Sequence, residues 1–146
     1  MSSILVNIVI ADEDDIEAIG DSLSPVEEWS GIQSRDLDTA KIATLHCLLT
    51  GDTFEDALSR YEPVYVVSEE SAIVLRIPDA VVERMAGLDE EALAEVAVEL
   101  AATEEFESTG WDDEEIYGLV EELADLAVQA DANGEAMFVW MHKLRT

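Results

Sequence analysis

At 146 residues, with 35 acidic against 7 basic side chains and a formal charge of −28, the chain is one domain long and carries a field that repels nucleic acid and anionic membrane. Its 49% hydrophobic content excludes an acidic disordered tail, where low hydrophobicity goes with high charge. A single cysteine, Cys47, excludes an intrachain disulfide and suits a reducing compartment.

The charge is one-sided as well as large. Residues 85–142 contain no lysine or arginine, against seventeen aspartates and glutamates. The acids still run along the whole chain, sixteen in residues 1–73 and nineteen in residues 74–146, so they coat a folded surface rather than form a tail. The opening Met1-Ser2-Ser3-Ile4-Leu5-Val6-Asn7 has neither the basic region nor the cleavage site of a signal peptide, and no apolar run approaches the roughly twenty residues of a membrane span. A cytoplasmic protein without membrane contact is expected.

Residues 4–10 are apolar on both alternating faces except at Asn7, which predicts a central strand covered on both sides. Asp12, Glu13, Asp14 and Asp15 open a short helix whose Ile16 and Ile19 face inward, with Gly20 near its end; carboxylates in a first turn are favoured by the helix dipole. Residues 21–35, with Pro25, Gly31 and several serines, read as a loop whose one large apolar residue, Trp29, packs as a lid over the core. Asp38, Ile42, Leu45 and Leu49 recur at helical spacing before a stop at Gly51. Thr53 with Asp56 predicts a capped short helix ending near Arg60. Residues 64–67 and 72–77 predict a hairpin about the polar turn Ser68-Glu69-Glu70-Ser71. Pro78 suits the first position of a helix over residues 79–86 that stops at Gly87, and Asp89 caps the next.

That next helix turns Leu93, Val96 and Leu100 inward and leaves Glu91, Glu95 and Glu99 as an acidic stripe. Like charges four residues apart oppose helix formation by roughly 0.2–0.5 kcal/mol per pair, so tertiary packing must hold it. Asp112 with Glu115 opens the longest helix, whose inner stripe is Ile116, Leu119, Val120, Leu123, Leu126 and Ala130, and Asn133-Gly134 ends it. Residues 135–144 alternate Met137, Val139 and Met141 with Phe138, Trp140 and His142, which predicts a second central strand. The expected fold is therefore one α+β domain over residues 1–146, with a small mixed or antiparallel sheet, central N- and C-terminal strands, and several amphipathic helices packed on it.

The pieces LHCLLTG (residues 45–51), LRIPD (75–79), AATEEF (101–106) and FVWM (138–141) give the chain a resemblance to a group of small actinobacterial proteins and, more remotely, to the YfbM-like family. The resemblance covers most of the chain from about Asp38 onward. It implies an α+β domain with this element order and a cytoplasmic location, and it carries over no catalytic residue.

Motifs for chemistry are weak. Counted from Asp12, the glycine and glutamate of a calcium-binding EF-hand loop are replaced by Glu17 and Leu23. Asp131, Asn133 and Glu135 around Gly134 are better read as a helix-to-strand turn. Two histidines and one cysteine, scattered, make no zinc site, and no glycine-rich phosphate loop occurs. Pairs such as Glu91 with Glu95, or Glu121 with Asp125, read as a solvated face, because a catalytic carboxyl needs a pocket that shifts its pKa. His46 and Cys47 are sequence neighbours, yet on a helix they point about 100° apart; Cys47 reads as a buried structural thiol, with a Cys47–His142 dyad across the core as the formal alternative. Trp140 reads as core, and Trp111 as the better surface candidate.

Neither metal nor cofactor is expected. The leading function is a non-enzymatic acidic binding protein that engages a basic protein partner through Glu91, Glu95, Glu99, Trp111, Asp112, Asp113, Glu121, Glu122 and Asp125, with an immunity or inhibitor protein against a nuclease-type toxin as its concrete form. The alternatives are acidity as a solubility or salt adaptation, and a small hydrolase using Cys47 or paired carboxylates. Self-repulsion at −28 opposes folding, so the urea midpoint followed by circular dichroism is expected to rise as salt goes from near zero to about 0.5 M, where the screening length falls well below 8 Å. A midpoint indifferent to salt would contradict this.

Overall fold

Two segments that are apolar on both faces, one near each end of the chain, pair with each other. In the computed structural model, which describes residues 5–22, 25–35, 37, 39–67, 72–107 and 111–142, strand β1 (Leu5–Ala11) runs antiparallel to β5 (Ala136–His142) along its full length, from Leu5 opposite His142 to Ala11 opposite Ala136. Every residue of both strands is buried, as expected for strands covered on two sides.

Three further strands complete an antiparallel sheet. β2 (Gly31–Arg35) flanks β1; β4 (Ala72–Arg76) flanks β5; and β3 (Tyr65–Val67) pairs with β4, giving the order β2-β1-β5-β4-β3. The expected α+β domain, with its two terminal strands central, is the fold observed. Residues 68–71, read as the hairpin turn, lie outside the described residues.

The pleat divides the core in two. Val6, Ile8, Ile10, Leu75, Ile77, Met137, Val139 and Met141 face the larger set of helices. These are α2 (Thr39–Thr50), α3 (Phe54–Ser59), α4 (Asp79–Ala86), α5 (Glu90–Ala101), α6 (Glu104–Glu107) and α7 (Asp113–Asn133). Leu5, Val9, Ala11, Val74, Phe138 and Trp140 face the other way, under Ile16, Ile19, Val26, Trp29 and Tyr65. That smaller cover is α1 (Ile16–Asp21) and the short 3-10 turn Pro25–Glu27. Trp29 does pack over the core, and the fully buried Asn7 helps hold its segment down: its Oδ1 accepts the Val26 N–H at 3.1 Å.

Local signals act as expected at most helix ends. Thr53, Asp89 and Asp112 each accept the backbone N–H three residues on, at 3.2, 2.8 and 2.8 Å, which satisfies one of the orphan donors of a first turn. Gly134 closes α7 in the left-handed region at φ +70°, where glycine is at ease.

Two expectations need correction, and one element was not anticipated. Gly31–Arg35, read as part of a loop, is the edge strand β2; its Gly-Ile-Gln-Ser-Arg sequence has little strand propensity, and pairing with β1 overrides it. Pro78 caps α4 from outside, with φ −57° and ψ 145°, instead of occupying its first turn. The four-residue α6, anticipated by no pattern, forms where Phe106 inserts into the core.

A side chain at Gly31 would collide with the neighbouring strand, since an added Cβ would fall well inside van der Waals contact with the Ile8 carbonyl oxygen. Gly31→Ala is therefore expected to destabilise the domain by about 1–3 kcal/mol in urea unfolding, the usual range for overpacking. An unchanged midpoint would show that β2 does not pair this closely with β1.

Candidate functional site

Helices α5 and α7 carry the acidic candidates. Leu93, Val96, Ala97 and Leu100 of α5 are buried, as are Ile116, Leu119, Val120, Leu123 and Leu126 of α7. Amphipathic spacing then forces the carboxylates outward: Glu91, Glu95, Glu99, Asp112, Asp113, Glu121, Glu122 and Asp125 are all exposed. Trp111 is half-buried. Its ring meets Phe106 edge-on with centroids 5.7 Å apart, so much of the indole packs on the core.

The expected set does not form one patch. Asp113 and Glu114 edge a furrow between α5 and α7 of about 570 Å³, lined also by Ala94, Ala97, Val98, Ala101, Ala102 and Tyr117. Glu122 and Asp125 border a different depression of about 640 Å³, shared with Glu27, Glu28 and Trp29 from the cover of the other sheet face. Helix α7 thus stands between two concave regions, and residues near Trp29 join the acidic surface.

Among the described residues Val98 is the most exposed large hydrophobic side chain, at 70%. Its signal was present in the sequence: three residues after Glu95 and seven after Glu91, it interrupts the acidic stripe with an apolar side chain.

A second polar cluster lies at the end of α2. His46 is buried, its Nε2 lies 2.7 Å from Asp52 Oδ2, and its Nδ1 lies 3.0 Å from the Tyr61 hydroxyl. A carboxylate only accepts, so with a neutral ring the proton sits on Nε2 and the Tyr61 hydroxyl donates to Nδ1. The hydrogen bond from His46 holds the Asp52 carboxyl below its ordinary pKa, while burial pushes the Tyr61 phenol well above its ordinary range. Nothing in the sequence marked this network, because Gly51 ends the helix between His46 and Asp52 and breaks the regular spacing.

Cys47 is half-buried, more open than the buried thiol expected. Partial burial and the nearby Asp52 and Glu105 raise its pKa, the reverse of the electropositive setting that activates a thiolate. The Cys47–His142 dyad is ruled out by topology. Cys47 packs with the core on the helical side, and His142 lies with Trp140 on the opposite face of β5.

Among the described residues, no group of three or more His, Cys, Asp or Glu is placed to hold a metal ion, and no helix is long and apolar enough to cross a membrane. An internal cavity of about 20 Å³, lined by Ile8, Lys41, Tyr61 and Phe106 among others, has room for about one water molecule and none for a substrate. Comparison with protein-family models, curated proteins and solved structures finds no match. The α5–α7 furrow and the depression beside Trp29 are two concave surfaces that α7 borders.

Tyr61→Phe would leave His46 Nδ1 buried without its donor, and a loss of about 1–3 kcal/mol is expected. Urea unfolding of the variant measures it; a difference near zero would mean that the network contributes nothing to the fold.

Proposed function

We propose that the chain is a cytoplasmic, non-enzymatic binding domain whose acidic α5–α7 face engages a basic protein. Inhibition of a nuclease-type toxin is the concrete case: carboxylates would occupy the channel that otherwise takes nucleic acid, and their field would speed encounter. The supporting observation is the pairing of exposed carboxylates on two adjacent helices with a concave apolar floor between them, in a stretch without lysine or arginine. Membership of the actinobacterial group that the sequence resembles is part of the same proposal.

One observation favours the salt-adaptation reading beside it. Acidic side chains are also exposed on α1 (Glu17, Asp21), α3 (Glu55, Asp56) and α4 (Asp79, Glu83), so the acids form a coat as well as a face. A protein coated for a saline interior needs molar salt to fold, whereas an acidic binder folds in ordinary buffer and binds best at low salt.

The test is stopped-flow association with a panel of basic nuclease-type proteins. At least one micromolar or tighter partner is expected. Neutralising Glu91, Glu95, Asp113 and Glu114 to their amides should slow its association about tenfold or more. Neutralising Glu17, Asp21, Glu55 and Asp56, the four acids of α1 and α3, should have a much smaller effect. Equal effects from both sets, or no partner in the panel, would contradict the reading.

A further inference from the structure

Helix α5 occupies an outer position, packing chiefly on α7, α2 and α6 rather than on the sheet. Its residues Ala94, Ala97, Val98 and Ala101, with Ala102 at its C-cap, line the furrow against α7. They follow i, i+3, i+4, i+7, i+8 spacing and so form one stripe about 12 Å long, two turns of helix. Four are alanines, which let another backbone approach closely, and the fifth, Val98, projects into solvent at 70% exposure. Tyr117, half-buried on α7, forms the facing wall.

The rim has a single sign. Asp113 and Glu114 edge the furrow from α7, and Glu91 and Glu95 precede Val98 along α5, all of them exposed. A shallow apolar trough of helical length between carboxylates is complementary to one kind of surface: an α-helix with an apolar stripe flanked by lysine or arginine. A second copy of this chain would bring a further −28 charge to the contact and be repelled, and an anionic lipid surface would be repelled likewise.

Resting on the reading of this face as an acidic binding surface, we propose that the α5–α7 furrow receives one basic amphipathic helix of the partner, apolar side down on Val98 and the alanines, with its cations against Glu91, Glu95, Asp113 and Glu114. Apolar contact then supplies specificity for the helix, and the rim charge supplies on-rate.

Fluorescence anisotropy with the full chain and two synthetic peptides of about 18 residues tests it. One peptide places leucines at i, i+3, i+4, i+7 among lysines; the other has the same composition, scrambled so that no apolar face forms. The amphipathic peptide is expected to bind at least about tenfold tighter than the scrambled one and to gain helical circular dichroism on binding. Val98→Ser, and Ala94→Trp, which fills the trough from an exposed position, should each remove most of that difference. Glu91→Gln with Asp113→Asn should weaken both peptides alike. Should Val98→Ser fail to fold, Ala94→Trp carries the same test.

Equal affinity for the two peptides, or indifference to both trough variants, overturns the helix proposal and leaves the acidic-surface reading standing. No binding of either peptide at low salt overturns both. Sedimentation showing a dimer of the free chain that Val98→Ser dissolves would make the occupant a second copy and would also overturn the proposal.

Discussion

The antiparallel pairing of β1 with β5 brings the two ends of the chain together in the middle of the sheet, and the other elements take their places from it. Seven consecutive partners, from Leu5–His142 to Ala11–Ala136, fix a register in which odd and even residues face different covers. A slip of β5 by one residue would exchange its two faces. Trp140 would move from beneath Trp29 and Tyr65 to the helical side, and Val139 would leave the contacts that seat α7. Because β1 and β5 are separated by almost the whole sequence, these contacts are of high order, and the intervening elements must close a long loop before the sheet returns any stability.

Such a core explains how a chain with this charge folds. Carboxylates are kept to outward faces, and among the described residues few of them meet a cation. Arg76 lies between Glu13 and Asp79, at 2.6 and 3.1 Å. Residues 85–142 hold no lysine or arginine, and the carboxylates of α5 and α7 named above are exposed to solvent. The apolar faces beneath hold the fold, and the acids lie on the surface above them.

Much of the fold was legible in the sequence because periodicity and caps speak locally. The double-sided apolar runs of residues 4–10 and 135–144, the stripes of α5 and α7, and the caps Thr53, Asp89 and Asp112 all indicated their elements. β2 did not, because Gly31-Ile32-Gln33-Ser34-Arg35 becomes a strand only when β1 lies beside it. The acidic candidates were correctly turned outward by helical spacing, but spacing along one helix does not tell which concavity a residue borders. Glu122 and Asp125 therefore turned out to share theirs with Glu27, Glu28 and Trp29, far away in sequence. The His46–Tyr61–Asp52 network and the burial of Lys41, 4% exposed, were illegible for the same reason: each depends on how α2 meets elements that follow no local rule.

Amide hydrogen exchange on the full chain in low-salt buffer tests most directly whether an apolar core built on β1 and β5 carries a separate acidic face. Val6, Ile8, Val139 and Met141 should exchange last, at the rate of global unfolding, with the outer helix α5 exchanging earlier through local opening. Protection of α5 equal to that of β1 and β5 would contradict this picture, as would exchange of the β1 amides ahead of the helices, because in either case the terminal strands would not be what the rest of the molecule depends on.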